Sequence, residues 1–197
     1  MTSFVIFLLP LAVLLFISIS IYNRLVALKN RYQNGFSQID IQLKRRYDLI
    51  PNLVEIAKGY LKHERETLEA VIGARNQAML GLTAAKGDPS NSGAIQELAR
   101  AEGQLSSAMG RLNVVMEAYP ELKASQSMMQ VSEELMSTEN KVSFARQAFN
   151  DAVTEYNTYK QSFPPVFFAR TFGHTSDAPL LEFDDHKVIQ EAPKVSF

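Results

Sequence analysis

A helical repeat over residues 128–163 constrains the fold of this chain more than any other feature. Apolar or small residues recur there at alternating spacings of three and four: Met128, Val131, Leu135, Thr138, Val142, Ala145, Phe149, Ala152, Tyr156, Tyr159 and Phe163. Only Thr138 is plainly polar. A sustained 3-4 repeat is the seam of a long helix that packs at a shallow angle against other helices. At 1.5 Å per residue the helix is roughly 50 Å long, so we predict a bundle of long helices.

An uncharged apolar run, Phe4–Tyr22, precedes the bundle and has about the length that crosses a bilayer as a helix. We interpret it as a transmembrane anchor. The alternative is a cleaved signal peptide, for which Ser18 and Ser20 offer a small-x-small site. The run is longer than a usual signal-peptide core, and no Lys or Arg precedes it, which favours the anchor.

Basic residues directly after the anchor predict its orientation. Arg24, Lys29 and Arg31 follow the run, whereas the other flank offers only the α-amino group. The positive-inside bias therefore predicts a single-pass protein of the cell (inner) membrane with a cytoplasmic body.

Composition argues against several classes of function. Lys and Arg number 20 against 21 Asp and Glu, so no global field attracts nucleic acid. Cysteine is absent, which excludes disulfides, iron–sulfur clusters and cysteine-based zinc sites. The 197 residues suffice for one domain besides the anchor.

The first bundle helix is expected to continue from the anchor as one rod, with a stripe of Leu25, Leu28, Tyr32, Phe36, Ile39 and Leu43. We interpret the basic cluster Lys44-Arg45-Arg46 as a complement to the dipole at the end of this helix. Pro51, with Asp48 as a cap, is predicted to turn the first corner.

Two further helices are predicted before the long seam. The second covers residues 51–85, carries Val54, Ala57, Leu61, Leu68, Val71 and Ala78 on one face, and frays at Gly81 and Gly87. A mobile loop follows at residues 86–93. The third carries Ile95, Leu98, Leu105, Met109, Leu112, Met116 and Tyr119, with Glu102 as a polar intruder, and stops at Pro120.

The long helix begins after a corner at residues 122–127, with Ser125 or a Ser127–Gln130 capping box at its start. It ends at Phe163-Pro164-Pro165. Two apolar pieces beyond it, residues 166–169 and 180–183, are expected to dock on the bundle or to bind a partner, and residues 184–197 to be loosely ordered. The predicted domains are a transmembrane helix (4–22), a helical bundle (23–163) and an irregular tail (164–197).

The run Asp40–Glu55, with the sequence DIQLKRRYDLIPNLVE, resembles the signature of LemA family membrane proteins. Further stretches agree: Tyr22-Asn23, residues 118–124, Thr138-Glu139-Asn140, Phe149-Asn150, Tyr156-Asn157, Phe163-Pro164 and Phe172-Gly173. The resemblance covers the anchor to Phe183; His174 stands where an aromatic such as Phe is expected, and no family motif matches after Asp185. It implies one membrane helix followed by an antiparallel bundle, with no established enzymatic activity and no catalytic residues.

Site chemistry is not indicated by the residues themselves. His63, His174 and His186 form no metal-binding pair on a helix, and His63 lies in a charge-rich turn typical of a solvated face. The adjacent Glu133 and Glu134 diverge on a helix instead of forming a catalytic dyad. We therefore predict no catalytic, cofactor-binding or metal-binding residue, and no cofactor.

Six asparagines lie near the apolar seams: Asn23, Asn30, Asn34, Asn140, Asn150 and Asn157. Such amides either hydrogen-bond across helices and set their register or are exposed on the helix flanks. The sequence leaves both alternatives open.

The fold class is thus all-α: a transmembrane helix that continues into an antiparallel, four-helix, coiled-coil-like bundle with an irregular C-terminal tail. The leading functional hypothesis is a non-enzymatic, membrane-anchored scaffold or assembly protein that self-associates. Its expected partners are the lipid bilayer, copies of itself and a protein at the membrane, with no nucleic acid. The alternatives are a membrane-tethered module that captures a peptide, protein or lipid, favoured by an exposed groove, and an uncharacterised enzyme, favoured by a buried carboxylate in a deep pocket.

Overall fold

The structure, a computed structural model, describes residues 2–183, with side-chain surroundings from residue 9 onward. This part of the chain forms six helices: α1 (Thr2–Lys58), α2 (Arg65–Gly87), α3 (Ser92–Glu117), α4 (Pro120–Lys123), α5 (Gln126–Gln161) and α6 (Pro165–Ala169). No strand occurs among the described residues. The predicted all-α fold is confirmed.

The first helix, α1, extends without a break from the apolar run into the bundle over 57 residues. It is apolar and long enough to span a membrane, and only 17% of the apolar window is buried inside the protein. The prediction that the anchor and the first bundle helix form one rod is confirmed, and the exposed apolar segment fits a single-pass membrane protein.

Four long helices build the body. The helix α1 packs most extensively on α5, and α2 packs on both α3 and α1. In the centre, the Phe149 ring of α5 lies edge-on to Tyr32 and Phe36 of α1, with ring centroids 6.3 and 5.6 Å apart. Most of the predicted α5 seam is buried or partly buried, as a bundle helix requires.

The first corner does not lie at Pro51, and this prediction was wrong. The helix α1 continues to Lys58, and the turn to α2 covers residues 59–64, where Leu61 is buried. Proline lacks the N–H that would bond to the carbonyl four residues earlier, which belongs to Tyr47. Arg75 of α2 donates its Nε–H to that carbonyl at 2.9 Å. A side chain from the neighbouring helix therefore satisfies the group that Pro51 leaves unpaired.

Fraying of α2 at Gly81 was also predicted wrongly. The helix ends at Gly87, and Gly81 is buried against α3. A Cβ at this position would lie only 3.1 Å from the Cα of Leu98. Glycine therefore permits α2 and α3 to pack closely here.

The loop between α2 and α3 is short and held by polar contacts, although the sequence predicted a mobile segment. Asn91 caps α3 by accepting a hydrogen bond from the Ala94 N–H at 3.1 Å. The Ser90 hydroxyl lies 2.9 Å from the Tyr32 hydroxyl, and the Lys86 ammonium donates to Asp40 at 2.8 Å. Hydrophobic patterning could not reveal this attachment because no apolar residue makes it.

At its two ends, α5 departs from the prediction. Ser125 is the N-terminal flanking residue, but its side chain makes no capping hydrogen bond. Phe163 lies beyond the last helical residue, Gln161, and 80% of its surface is exposed. The seam therefore ends before Phe163.

The second apolar piece of the tail, residues 180–183, docks on the bundle, whereas Val166 and Phe167 of the first piece are exposed and only its end is buried. Ala169, Ala178, Leu181 and Phe183 are buried. The prediction for residues 184–197, which include His186, concerns residues outside those that the structure describes.

Candidate functional site

A buried ionic cluster joins α1 to α3. The carboxylate of Glu102, on α3, accepts a hydrogen bond from Arg46 Nη1 at 2.8 Å and another from the Tyr47 hydroxyl. All three residues are buried. Arg46 also lies 3.7 Å from Glu139 of α5, so its guanidinium links α1 to two other helices.

The cluster corrects the sequence interpretation of Lys44-Arg45-Arg46. The helix continues past these residues, so they do not complement a terminal dipole. Arg46 points inward and pairs with Glu102, the polar intruder of the third helix, whereas Lys44 pairs with Asp40 on its own helix. Burial raises the pKa of Tyr47 strongly, and the nearby carboxylate of Glu102 raises it further, so the phenol remains a proton donor.

This cluster is arranged to hold helices together. A buried carboxylate was one of the two features expected of an enzyme, but the cavity beside Glu102 measures about 50 Å³, enough for one or two water molecules. Phe183 of the tail borders it, with the Arg146 guanidinium 4.5 Å above the Phe183 ring. Two indications of the cluster were present in the sequence: Arg46 and Tyr47 lie within the signature run Asp40–Glu55, and Glu102 interrupts the apolar seam of α3, but neither showed that they meet.

A second polar cluster lies nearer the anchor. The Tyr156 hydroxyl is 2.8 Å from His174 Nδ1, and the rings of Tyr156 and Tyr32 lie 5.2 Å apart. Burial, with smaller effects of Lys29 and Lys160, lowers the pKa of His174, and burial raises the pKa of Tyr156 to about 12. His174 thus stays neutral at pH 7 and occupies the aromatic position of the family pattern by packing on Tyr156.

Two asparagines attach the tail to α5. Asn157 exchanges two hydrogen bonds with the backbone of Ala178, each 2.9 Å long. Asn150, two turns earlier, binds the Leu181 backbone in the same way at 3.1 and 2.9 Å. These two amides thus hold the tail and make no bond across the helix pairs. The other four, Asn23, Asn30, Asn34 and Asn140, are exposed.

An open groove of about 530 Å³ lies at the end of the bundle far from the anchor, between α1 and α2. Its apolar lining is Val54, Leu61, Leu68 and Ile72, and its charged lining is Lys58, Lys62, Arg65 and Glu69. Lys58 pairs with Glu55, and Arg65 pairs with Glu69, so the basic Lys62 is left without an ion pair among the described residues.

A stripe of exposed apolar side chains runs along α5. Met129, Met136 and Phe144 are 48%, 65% and 73% exposed. At about 100° per residue their directions fall within an arc of roughly 80°, so they share one face of the helix with the exposed Glu133 and Asn140, which point within the same arc. We call Met129, Met136 and Phe144 the α5 stripe.

The residues that were interpreted from the sequence as ordinary surface residues lie apart from these clusters and from the groove. His63, Glu133 and Glu134 are exposed. Among the described residues, no group of three or more His, Asp or Glu side chains is placed to hold a metal ion.

Comparison with known proteins supports the family resemblance. The LemA family model matches residues 35–197, beyond the point at which the sequence motifs stop. Protein LemA of Metamycoplasma hominis is 27% identical over 152 residues, which cover 77% of this chain and 65% of that protein.

Two further relatives are magnetosome proteins. Magnetosome protein MamQ of Magnetospirillum gryphiswaldense is 24% identical over 77% of this chain and 61% of its own length. Magnetosome protein MamQ 2 of Paramagnetospirillum magneticum is 25% identical over 75% of this chain and 60% of its own. The chain therefore spans slightly less than two thirds of these curated relatives. Because the family model covers most of the sequence, the chain belongs to the LemA family.

Proposed function

We propose that this protein is a non-enzymatic helical scaffold, anchored in the cell membrane with a cytoplasmic body, that self-associates in the plane of the bilayer. The observation that carries the proposal is the α5 stripe. Its side chains are large, apolar and exposed. They lie along α5 from its middle to the end far from the anchor. A helix face of this kind suits packing against another helix.

Attachment to one membrane strengthens such a contact. Anchored copies share a plane and an orientation, so their effective concentration is high and weak lateral contacts count. The exposed Arg45 of one copy and the exposed Glu133 and Glu134 of another supply opposite charges for such a contact. Exposed ion pairs contribute only about 0–1 kcal/mol each. In this proposal the charges therefore orient the two copies, and the α5 stripe supplies most of the affinity. Arg46 takes no part because it is buried against Glu102.

The test is the size of the full chain in mild detergent and in native nanodiscs. We expect oligomers of the parent and monomers of a variant with Met136→Glu and Phe144→Glu, since charged residues oppose burial in an apolar contact. Val114→Glu is the matched control, because Val114 is an equally exposed apolar residue, 69% exposed, on α3.

Three outcomes decide between the alternatives. A monomeric parent at membrane-like density contradicts the scaffold. Equal loss of assembly in the Val114→Glu variant shows that added charge, and not the α5 stripe, is responsible. Comparison with a chain that starts at Asn23 shows whether the contact requires the apolar segment.

A membrane-tethered binding module is the second candidate, and the groove at the far end of the bundle favours it. Its apolar floor is bordered by Lys62, which has no ion pair among the described residues, and by the paired Lys58, Arg65 and Glu69. This lining fits a peptide that carries one acidic residue beside an apolar side chain. A strictly monomeric parent in the size measurement would place this function first.

A further inference from the structure

We propose that the corner between α5 and α6 is a second membrane contact, which inserts into the headgroup layer of the bilayer that holds α1. The inference depends on insertion of α1 and goes beyond self-association. We call Phe163, Val166 and Phe167 the corner residues.

The register between α1 and α5 places this corner beside the apolar segment. Glu155 of α5 pairs with both Arg24 and Arg31, so it lies between their levels on α1. The chain then continues eight residues to Phe163, roughly 12 Å along a helix, toward the anchor. This brings Phe163 to the level of the last turn of the apolar segment.

Ring contacts fix the same position independently. The Phe172 ring, just after α6, meets the Tyr22 ring edge-on with centroids 5.4 Å apart. Tyr22 is the last residue of the apolar run. The helix α6 also packs against α1, so the corner is held against the membrane end of the body and is not a free loop.

The corner residues are exposed despite being apolar. Phe163, Phe167 and Val166 are 80%, 71% and 46% exposed, and the two phenylalanine rings pack edge-to-face 5.9 Å apart. Beyond α6 the chain reverses and runs back along α5, because Asn157 and then Asn150 bind its backbone. The corner is therefore the turning point of the described body that lies nearest the anchor.

The chemistry fits a lipid interface better than a second protein. A bilayer that holds the apolar segment of α1 reaches the level of the corner, and phenylalanine is among the side chains that bury at the boundary between headgroups and acyl chains. Arg170 follows α6, is exposed and makes no ion pair in the described part of the chain. A cation at this level can meet lipid phosphates while the rings enter the acyl boundary.

The experiment uses the absence of cysteine. The F167C variant of the full chain is labelled with an environment-sensitive fluorophore and reconstituted in phosphatidylcholine nanodiscs, with and without phosphatidylglycerol. V114C is the matched control, because Val114 is similarly exposed, 69% against 71%, but lies on α3 at the end of the bundle far from the anchor and outside the α5 stripe.

We expect quenching of the F167C label by a nitroxide on the lipid, and several-fold weaker quenching by aqueous iodide than for the V114C label. Adding Phe163→Asp should reduce the lipid quenching, because a carboxylate opposes insertion. Phosphatidylglycerol should increase the lipid quenching further, because its net negative charge attracts the exposed Arg170.

Equal lipid quenching of the two labels overturns the proposal. Protection of the F167C label from iodide without lipid quenching also overturns it and indicates a protein over the corner. Lipid quenching that Phe163→Asp leaves unchanged shows proximity without insertion and contradicts the proposal as well. None of these results depends on self-association, which the size measurement reports separately.

Discussion

At the residue scale, the body tolerates charge in its core where the charges are paired. Arg46 and Glu102 are buried together, and Tyr47 donates a further hydrogen bond to the same carboxylate. Burying either charge alone is costly, whereas a complete pair roughly compensates its own desolvation. The cluster therefore contributes specificity of packing between α1 and α3 more than net stability.

Glu102→Leu should accordingly lower the free energy of unfolding by about 3–5 kcal/mol, because it leaves the buried Tyr47 hydroxyl without its acceptor and Arg46 with only the more distant Glu139, 3.7 Å away. Chemical denaturation of the purified full chain in detergent measures the change. Glu97→Leu is the control on the same helix, since Glu97 forms an exposed pair with Arg100 and such pairs contribute about 0–1 kcal/mol. Equal effects of the two variants would mean that the buried pair is no more important than a surface one.

At the scale of one element, α1 shows how a helix passes through a proline. The Tyr47 carbonyl loses its helical donor at Pro51 and receives the Arg75 Nε–H instead. Arg75 is largely buried, with 18% of its side chain exposed, and also lies 3.9 Å from Asp48. The neighbouring helix thus completes the hydrogen bonding of α1, and the two helices depend on each other here.

Arg75→Met should destabilise the protein by about 1–3 kcal/mol, because it leaves a buried carbonyl unpaired. Combination with Pro51→Ala should recover part of this loss, since Ala restores the helical N–H opposite the Tyr47 carbonyl. A double-mutant cycle from unfolding experiments measures the coupling. Strictly additive effects would contradict the assignment of Arg75 as the substitute donor.

At the scale of the whole molecule, the body is asymmetric along its long axis. Near the anchor it consists mainly of α1, α5, α6 and the tail, whereas α2 and α3 join at the level of Tyr32, where Ser90 meets the tyrosine hydroxyl. The basic residues Arg24, Lys29 and Arg31 lie at the end of the apolar run that faces the body. Their bias predicts that this side faces the cytoplasm.

A cysteine at Gly110 tests the orientation in this cysteine-free chain. Gly110 is exposed, and a Cβ there would contact nothing within 4 Å, whereas a cysteine at Asn91 would remove the cap of α3. We expect a membrane-impermeant maleimide to label G110C only after the cells are permeabilised. Labelling in intact cells would place the body outside.

Local patterns were enough to predict the long helices, the apolar segment and their continuity. The seam of α5 and the stripe of α1 repeat at the period of a helix, and a repeat sustained over many turns has one structural solution. The family motifs agreed with this reading. The sequence by itself therefore determined the class of fold and the position of the exposed apolar segment.

Only the tertiary structure decided where charged and polar groups go. Pro51 does not break α1 because Arg75, distant in sequence, reaches its unpaired carbonyl. The sequence analysis treated Glu102 as a polar interruption of an apolar seam and Arg46 as a complement to a helix dipole. In the structure the two side chains pair between α3 and α1. Asn150 and Asn157 bind the tail, and Phe163 is exposed beside the apolar segment. Hydrophobic periodicity is a local property that one helix carries alone, whereas a hydrogen bond between distant residues exists only once the helices have packed in a definite register.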